Sequence, residues 1–248
     1  MTTHVLALPG GVNPAALRYA HLSQALAGEV ELHTKDLEVY AGEAPPPDYS
    51  VAQEVDALAA FADSLGFERF HLLAYSGGGF VSLAFAGAHP ERLLSLALFE
   101  PASIPGPPSA EESEFWRRLE AGLAGKTGAE FMRGFMQLQL KPGVEPPPPP
   151  PGPPPPWMSS RPAGLATMMA AFQAHDLDRE SFRRCKFPVF LGYGDQTGVH
   201  EELRAGILAR LFPDIHIRRF AGVHHFVPPE QIYSPEHVAA LKALWSRA

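Results

Sequence analysis

A serine lies in a glycine-rich turn between two apolar segments. Positions 74–78 read AYSGG, which departs from the Gly-x-Ser-x-Gly pattern only by an alanine at its first position. A residue held in a sharp strand-to-helix turn crowds the positions two before and two after it, so both must be small. Such a turn exposes the hydroxyl of Ser76 and aims the Gly77 amide and a helix N-terminus at a developing oxyanion. The spacing predicts that Ser76 is a nucleophile.

A serine nucleophile needs a base, and the base needs a carboxylate that fixes its tautomer. Asp195 follows the apolar run 187–193, and His225 follows the run 215–220. Both loops are expected at the carboxyl ends of parallel strands, where open α/β sheets bind ligands. We therefore predict Asp195 as the acid and His225 as the base, in the chain order Ser, Asp, His.

Two neighbouring histidines leave the choice of base open. We prefer His225 to His224 because the Phe226-Val-Pro sequence after it is suited to packing the loop down. The loop after the first strand, at positions 9–12, should supply a second oxyanion donor, and we choose Gly11 beside Gly77. A tight turn alone would also demand glycine there.

The same glycines allow a different interpretation. The pattern Gly77-x-Gly79-x-x-Ser82 resembles a dinucleotide fingerprint, and Glu100 ends the next strand, where a ribose-binding acid would lie. Against this reading, the third glycine is missing and the motif falls on an interior strand. It also leaves Asp195 and His225 without a role.

The apolar runs alternate with amphipathic segments along most of the chain. Strands are predicted near 4–8, 29–32, 70–74, 93–99, 188–193 and 215–220, with helices between them. This alternation of strands and helices predicts an α/β fold with a doubly wound, mostly parallel sheet of about six strands. We divide the chain into a core of residues 1–100 and 185–248 and an inserted helical cap of residues 101–184.

The predicted cap contains two helix-like stretches around 111–140 and a proline-rich segment at 145–156. We interpret the proline tract as a polyproline II connector. The cap is rich in aromatic and methionine side chains, which suggests a hydrophobic substrate. We expect Tyr75, Phe226 and Trp157 to contact it.

Composition narrows the class of partner. The formal net charge is −7 with no dense run of Lys and Arg, which disfavours nucleic acid and anionic membrane partners and favours a small molecule. The only cysteine, Cys185, cannot form an internal disulfide, and no signal peptide or membrane span is visible. We expect a cytoplasmic monomer or homodimer that uses no cofactor and binds no metal.

Four segments resemble the α/β-hydrolase superfamily: ALPGGVNP at 7–14, the region 72–101, FPVFLGYGDQTG at 187–198 and FAGVHHFVPPE at 220–230. The resemblance implies the same triad and oxyanion residues, and it aligns His225 with the family's base. Pro9 stands where the family commonly has histidine, and the chain begins at the strand before the oxyanion loop, without the usual leading hairpin.

The expected function is a serine hydrolase that acts on a carboxylic ester or related acyl compound through an acyl-enzyme. Two alternatives fit the same residues. One is a ligand-binding protein that keeps the fold without turnover, and the other is a dinucleotide-dependent oxidoreductase.

Overall fold

The computed structural model describes residues 2–148 and 151–247, and a six-stranded parallel sheet lies at its centre. The strands are β1 Thr3–Leu8, β2 Val30–Thr34, β3 Phe70–Tyr75, β4 Leu93–Phe99, β5 Val189–Gly194 and β6 Ile215–Phe220. Their order across the sheet is β2-β1-β3-β4-β5-β6, and all neighbours are parallel. The predicted fold class and strand number are confirmed.

Helices cover both faces of this sheet. In the described residues they are α1 Ala15–Ala25, α2 Val51–Ser64, α3 Gly77–Ala88, α4 Ala110–Leu123, α5 Gly128–Gln137, α6 Arg161–Ala174, α7 His200–Leu211, α8 Pro229–Ile232 and α9 Pro235–Trp245. Side chains of α1 and α9 share one core cluster, and side chains of α2, α3 and α7 share another. None of the described helices combines the length and apolarity needed to cross a bilayer.

Strand β3 shows why the sheet is buried on both sides. All six of its residues are buried. Leu72 and Ala74 join one core cluster, while Leu73 and Tyr75 join the other, as the twofold alternation of a strand requires. The unbroken apolar runs in the sequence therefore correspond to central strands of a covered parallel sheet.

Residues between β4 and β5 form α4, α5 and α6, and we refer to residues 101–184 as the insertion. The helix-like stretches predicted around 111–140 appear as α4 and α5, whereas α6 was not predicted. The proline-rich segment 145–156 includes residues 149 and 150, which lie outside the described part of the chain. The division into core and cap stays a prediction.

Candidate active site

The turn between β3 and α3 holds Ser76 in a strained conformation. Ser76 has φ of +52°, and Glu100, at the end of β4, has φ of +45°; they are the two non-glycine residues with positive φ in the described chain. A side chain at Gly78 would lie 2.4 Å from the Pro9 carbonyl oxygen, so this position requires glycine. Strain of this kind clusters at functional sites because the surrounding structure must hold it in place.

The strained serine meets an imidazole and a carboxylate. Nε2 of His225 lies 2.9 Å from Oγ of Ser76, and Nδ1 of His225 lies 2.7 Å from Oε2 of Glu100. With the proton on Nδ1, the ring donates to Glu100 and leaves Nε2 to accept the serine proton. The structure brings Ser76 and His225 together as the sequence predicted, with a glutamate as the third member.

Asp195 was predicted as the acid, and the structure places it elsewhere. Its Oδ1 accepts a hydrogen bond from the Gly222 amide at 2.8 Å, so the carboxylate closes the turn after β6. Glu100 occupies the position expected for the acid because β4 lies between β3 and β5, directly beside the strand that carries Ser76. The prediction of Asp195 was therefore wrong in this geometry.

A hydrogen-bond network holds the Glu100 carboxylate. Its Oε1 accepts from the Gly194 amide and from the Thr197 hydroxyl, both at 2.7 Å. The Thr197 hydroxyl in turn accepts from the His225 amide at 3.0 Å. Gly194 ends β5 and Thr197 lies in the loop that also carries Asp195, so this loop holds the Glu100 carboxylate in place.

Burial shifts the protonation of both partners. It raises the pKa of Glu100 to about 7, against the lowering effect of the hydrogen bonds from Thr197 and Gly194. Burial also lowers the pKa of His225, which favours a neutral imidazole at neutral pH. A neutral imidazole is the form that can accept a proton from a hydroxyl.

Gly11 and Gly77, predicted as oxyanion donors, lie next to each other beside Ser76. A Cβ built on Gly77 would stand 3.7 Å from the Gly11 nitrogen. Gly77 is the first residue of α3, so its amide belongs to the positive end of that helix.

Tyr40, which was not predicted from the sequence, donates its hydroxyl proton to the Gly11 carbonyl oxygen at 2.7 Å. No sequence signal pointed to Tyr40, since it lies in a short 3-10 helix far from the motifs.

The insertion covers these amides. A Cβ on Gly11 would lie 2.5 Å from the Leu165 side chain, and one on Gly77 would lie 2.9 Å from the Met168 sulfur. Both apolar side chains come from α6. Ser76 is buried, with 7% of the residue exposed, and His225 is 2% exposed.

The insertion also contains a cavity of about 200 Å³. Its lining includes Ile104, Trp116 and Phe172 but neither Ser76 nor His225.

Of the residues predicted to contact substrate, Tyr75 and Phe226 pack against the His225 ring and Trp157 packs against Arg161. Tyr75 donates its hydroxyl proton to the His225 carbonyl oxygen and stacks on the His225 ring at 4.8 Å, so it lies behind the base. Phe226 meets the His225 ring edge-on at 4.8 Å. Trp157 lies under the Arg161 guanidinium, 5.1 Å away, and that guanidinium also covers the Tyr40 ring at 3.7 Å. Tyr75 and Phe226 thus help to hold the His225 ring, and the substrate contacts of all three side chains stay a prediction.

His224, the neighbour of the base, has a local role. Its Nδ1 accepts a hydrogen bond from the Phe226 amide at 3.1 Å, which holds the loop rather than the serine. The preference for His225 over His224 agrees with this arrangement.

Parts of the sequence match known proteins. A family model described as alpha/beta hydrolase fold matches residues 22–138. A fluoroacetate dehalogenase from Burkholderia is 33% identical over 107 residues, which are 37% of this chain and 35% of that protein. A putative carbamate hydrolase, RutD of Pseudomonas syringae, is 36% identical over 93 residues, which are 34% of this chain and 36% of that protein.

Solved structures show the same fold over the whole chain. MGS-M2, an alpha/beta hydrolase from a Medee basin deep-sea metagenome library, has a TM-score of 0.74 at 12% identity and covers 100% of this chain and 90% of its own. The curated relatives are matched over only 21% to 36% of their own length. The six-stranded parallel sheet and the family-model match over residues 22–138 show that the chain has the alpha/beta hydrolase fold.

Proposed function

We propose that the chain is a serine hydrolase that cleaves a carboxylic ester or related acyl compound, with Ser76 as nucleophile, His225 as base and Glu100 as acid. The observation that carries the proposal is the continuous contact of the three groups, 2.9 Å from Ser76 to His225 and 2.7 Å from His225 to Glu100. This is the arrangement that activates a hydroxyl for attack on a carbonyl.

The reaction uses each group in turn. Ser76 Oγ attacks the acyl carbon while His225 Nε2 takes its proton, and the Gly11 and Gly77 amides stabilise the oxyanion. His225 then passes the proton to the departing alkoxide, leaving an acyl group on Ser76. Water repeats the sequence, since His225 removes its proton as it attacks and returns that proton to Ser76 when the acid leaves.

Apolar contacts favour a hydrophobic acyl group. Leu165 and Met168 lie over the two oxyanion amides, so the chain atoms next to a bound carbonyl would meet aliphatic and thioether surface. Because Ser76 is almost inaccessible to solvent, the side chains of Leu165 and Met168 must move when substrate enters. This supports α6 as a lid on the nucleophile.

The structure disfavours a dinucleotide-dependent oxidoreductase, because Glu100 is not free to bind a ribose. Glu100 is fully buried and its carboxylate is used by His225, Thr197 and Gly194, so it is not open to a ribose. Gly79 also packs against Pro101, whose Cα would lie 2.8 Å from an added Cβ, so this glycine serves close packing. The binding-protein alternative keeps the same residues but predicts no turnover.

Active-site labelling tests the proposal. Wild-type protein, Ser76→Ala and the control Ser103→Ala, a buried serine outside the triad, are treated with a fluorophosphonate and assayed on p-nitrophenyl acetate, butyrate and octanoate. We expect labelling and turnover in the wild type and Ser103→Ala, and a loss of at least about 10³-fold in Ser76→Ala. Labelling without turnover favours the binding protein. Turnover that persists in Ser76→Ala rejects the mechanism.

A further inference from the structure

Three side chains with metal-binding atoms meet at an outer edge of the sheet. Nδ1 of His4 lies 3.1 Å from Nε2 of His33 and 3.5 Å from Oε2 of Glu31. Nε2 of His33 lies 3.8 Å from the other oxygen of Glu31. Among the described residues these form a group of three ligand atoms, each within 4.8 Å of the others.

The pairing of β1 with β2 creates this cluster. His4 is the register partner of Glu31, and His33 lies two residues further along β2. Residues two apart in a strand point to the same face, and directly paired residues share a face across two strands. All three side chains therefore project from one face of the edge strand and its neighbour, although 27 or more positions separate His4 from the other two in the sequence.

Packing fixes the two imidazoles while leaving a path from solvent. The Phe67 ring lies 5.3 Å from the His4 ring and 5.2 Å from the His33 ring. The His33 side chain is 16% exposed, whereas those of His4 and Glu31 are 41% and 58% exposed. The cluster is thus supported on one side and open to an ion on the other.

The spacing of the ligand atoms matches a tetrahedral ion. Zinc bonds of about 2.0–2.1 Å at tetrahedral angles place ligand atoms about 3.3–3.4 Å apart. The two imidazole nitrogens lie 3.1 Å apart, near that value, and each has one Glu31 oxygen close by, Oε2 at 3.5 Å from His4 and Oε1 at 3.8 Å from His33. We infer that His4, Glu31 and His33 form a Zn²⁺ site with solvent as the fourth ligand.

The alternative is a metal-free cluster in which the two imidazoles share a proton and Glu31 pairs with whichever ring is charged. One hydrogen bond explains the contact between His4 and His33. It does not require the carboxylate to lie near both ring nitrogens, as it does here. An ion bound by one nitrogen of each ring and by a Glu31 oxygen accounts for the position of this carboxylate beside both rings.

This site is separate from the proposed hydrolytic centre. His4 stands near the start of β1, and four strand residues at about 3.3 Å each put it roughly 13 Å from the carboxyl end of that strand. Ser76 lies beyond the carboxyl end. A bound ion would therefore join edge strand β2 to β1 without touching the reacting groups.

Metal titration of the untagged full chain, stripped with chelator at pH 7.5, tests the inference. Co²⁺ is added first, because tetrahedral Co²⁺ has visible absorption bands, and Zn²⁺ binding is then measured by calorimetry. We expect one equivalent of each ion, with Zn²⁺ displacing Co²⁺, and a higher unfolding temperature in the presence of Zn²⁺.

Ligand variants locate the ion. His4→Gln, Glu31→Gln and His33→Gln should each weaken Zn²⁺ binding by about tenfold or more, while His216→Gln, an exposed histidine on the opposite edge strand, should not change it. Unfolding midpoints without metal verify that each variant is folded. Absence of tetrahedral Co²⁺ bands in the wild type would overturn the site, as would equal Zn²⁺ affinity in wild type and the three ligand variants.

Discussion

Glu100 lies 2.7 Å from Nδ1 of His225, although 125 residues separate them along the chain. Both the carboxylate and Ser76 stand at the ends of adjacent strands, β4 and β3, and both have positive φ. The backbone therefore presents the proposed nucleophile and the proposed acid from neighbouring positions on one sheet edge, and the His225 ring bridges them.

Tyr40→Phe should slow turnover without abolishing it. The lost hydroxyl leaves the Gly11 carbonyl oxygen without its hydrogen bond, so the loop that carries the Gly11 amide becomes less well positioned. We expect kcat to fall about tenfold on p-nitrophenyl butyrate, with KM changed less. Tyr49→Phe, which loses a hydroxyl bonded to Glu54, is the matched control. If Tyr40→Phe loses stability but keeps wild-type kcat, Tyr40 does not position the oxyanion loop.

Met168→Ala should open the site. Met168 covers Gly77 and the Gly11 loop, so shortening it widens the approach to Ser76. We expect the ratio of kcat/KM for octanoate over acetate esters to rise about threefold or more, at a stability cost of about 2–5 kcal/mol from the cavity. Met169→Ala, the half-buried neighbour on α6, should leave the ratio unchanged. An unchanged ratio in both variants would mean that α6 does not limit access.

Acid should destabilise the fold through buried histidines. Burial lowers the pKa of His71 to about 4, and its Nδ1 contacts the Ser95 hydroxyl at 2.8 Å. The folded pKa is lower than the unfolded value, so the unfolded chain binds the proton first. Stability is thus complete above pH 6.5 and is lost as the pH falls toward 4.

Urea unfolding at pH 7.5 and pH 5.0 measures this effect. The wild type should lose more unfolding free energy between the two pH values than His71→Gln, by about 1 kcal/mol after allowance for partial hydration. His216→Gln, at an exposed position, should behave like the wild type. Equal pH dependence in wild type and His71→Gln would show that His71 does not contribute.

The sequence alone predicted the parallel sheet and two members of the proposed triad, Ser76 and His225. Continuous apolar runs predict buried parallel strands, and small residues around Ser76 predict its turn, because both patterns follow from local sterics. His225 follows from its place after the last strand. These features depend on neighbouring residues, so they are visible without knowledge of the packing.

The acid was not predictable in the same way. Glu100 and Asp195 both follow strands and both lie between Ser76 and His225 in the chain, so order alone does not separate them. The choice depends on the direction of each side chain, and Asp195 turns toward the Gly222 amide. The contact of His4 with Glu31 and His33 was hidden for a similar reason, because only the register of β1 and β2 creates it.

Two matched variants, Glu100→Gln and Asp195→Asn, separate the proposed role of Glu100 from that of Asp195. Both changes replace a carboxylate by an amide of nearly equal size, and kcat on a p-nitrophenyl ester is the measurement. We expect Glu100→Gln to lower kcat by up to about 10⁴-fold, since the amide no longer holds the productive tautomer of His225. Asp195→Asn should stay within about tenfold of the wild type. The opposite pattern, a large loss in Asp195→Asn and near-normal turnover in Glu100→Gln, would show that Asp195 and not Glu100 is the acid.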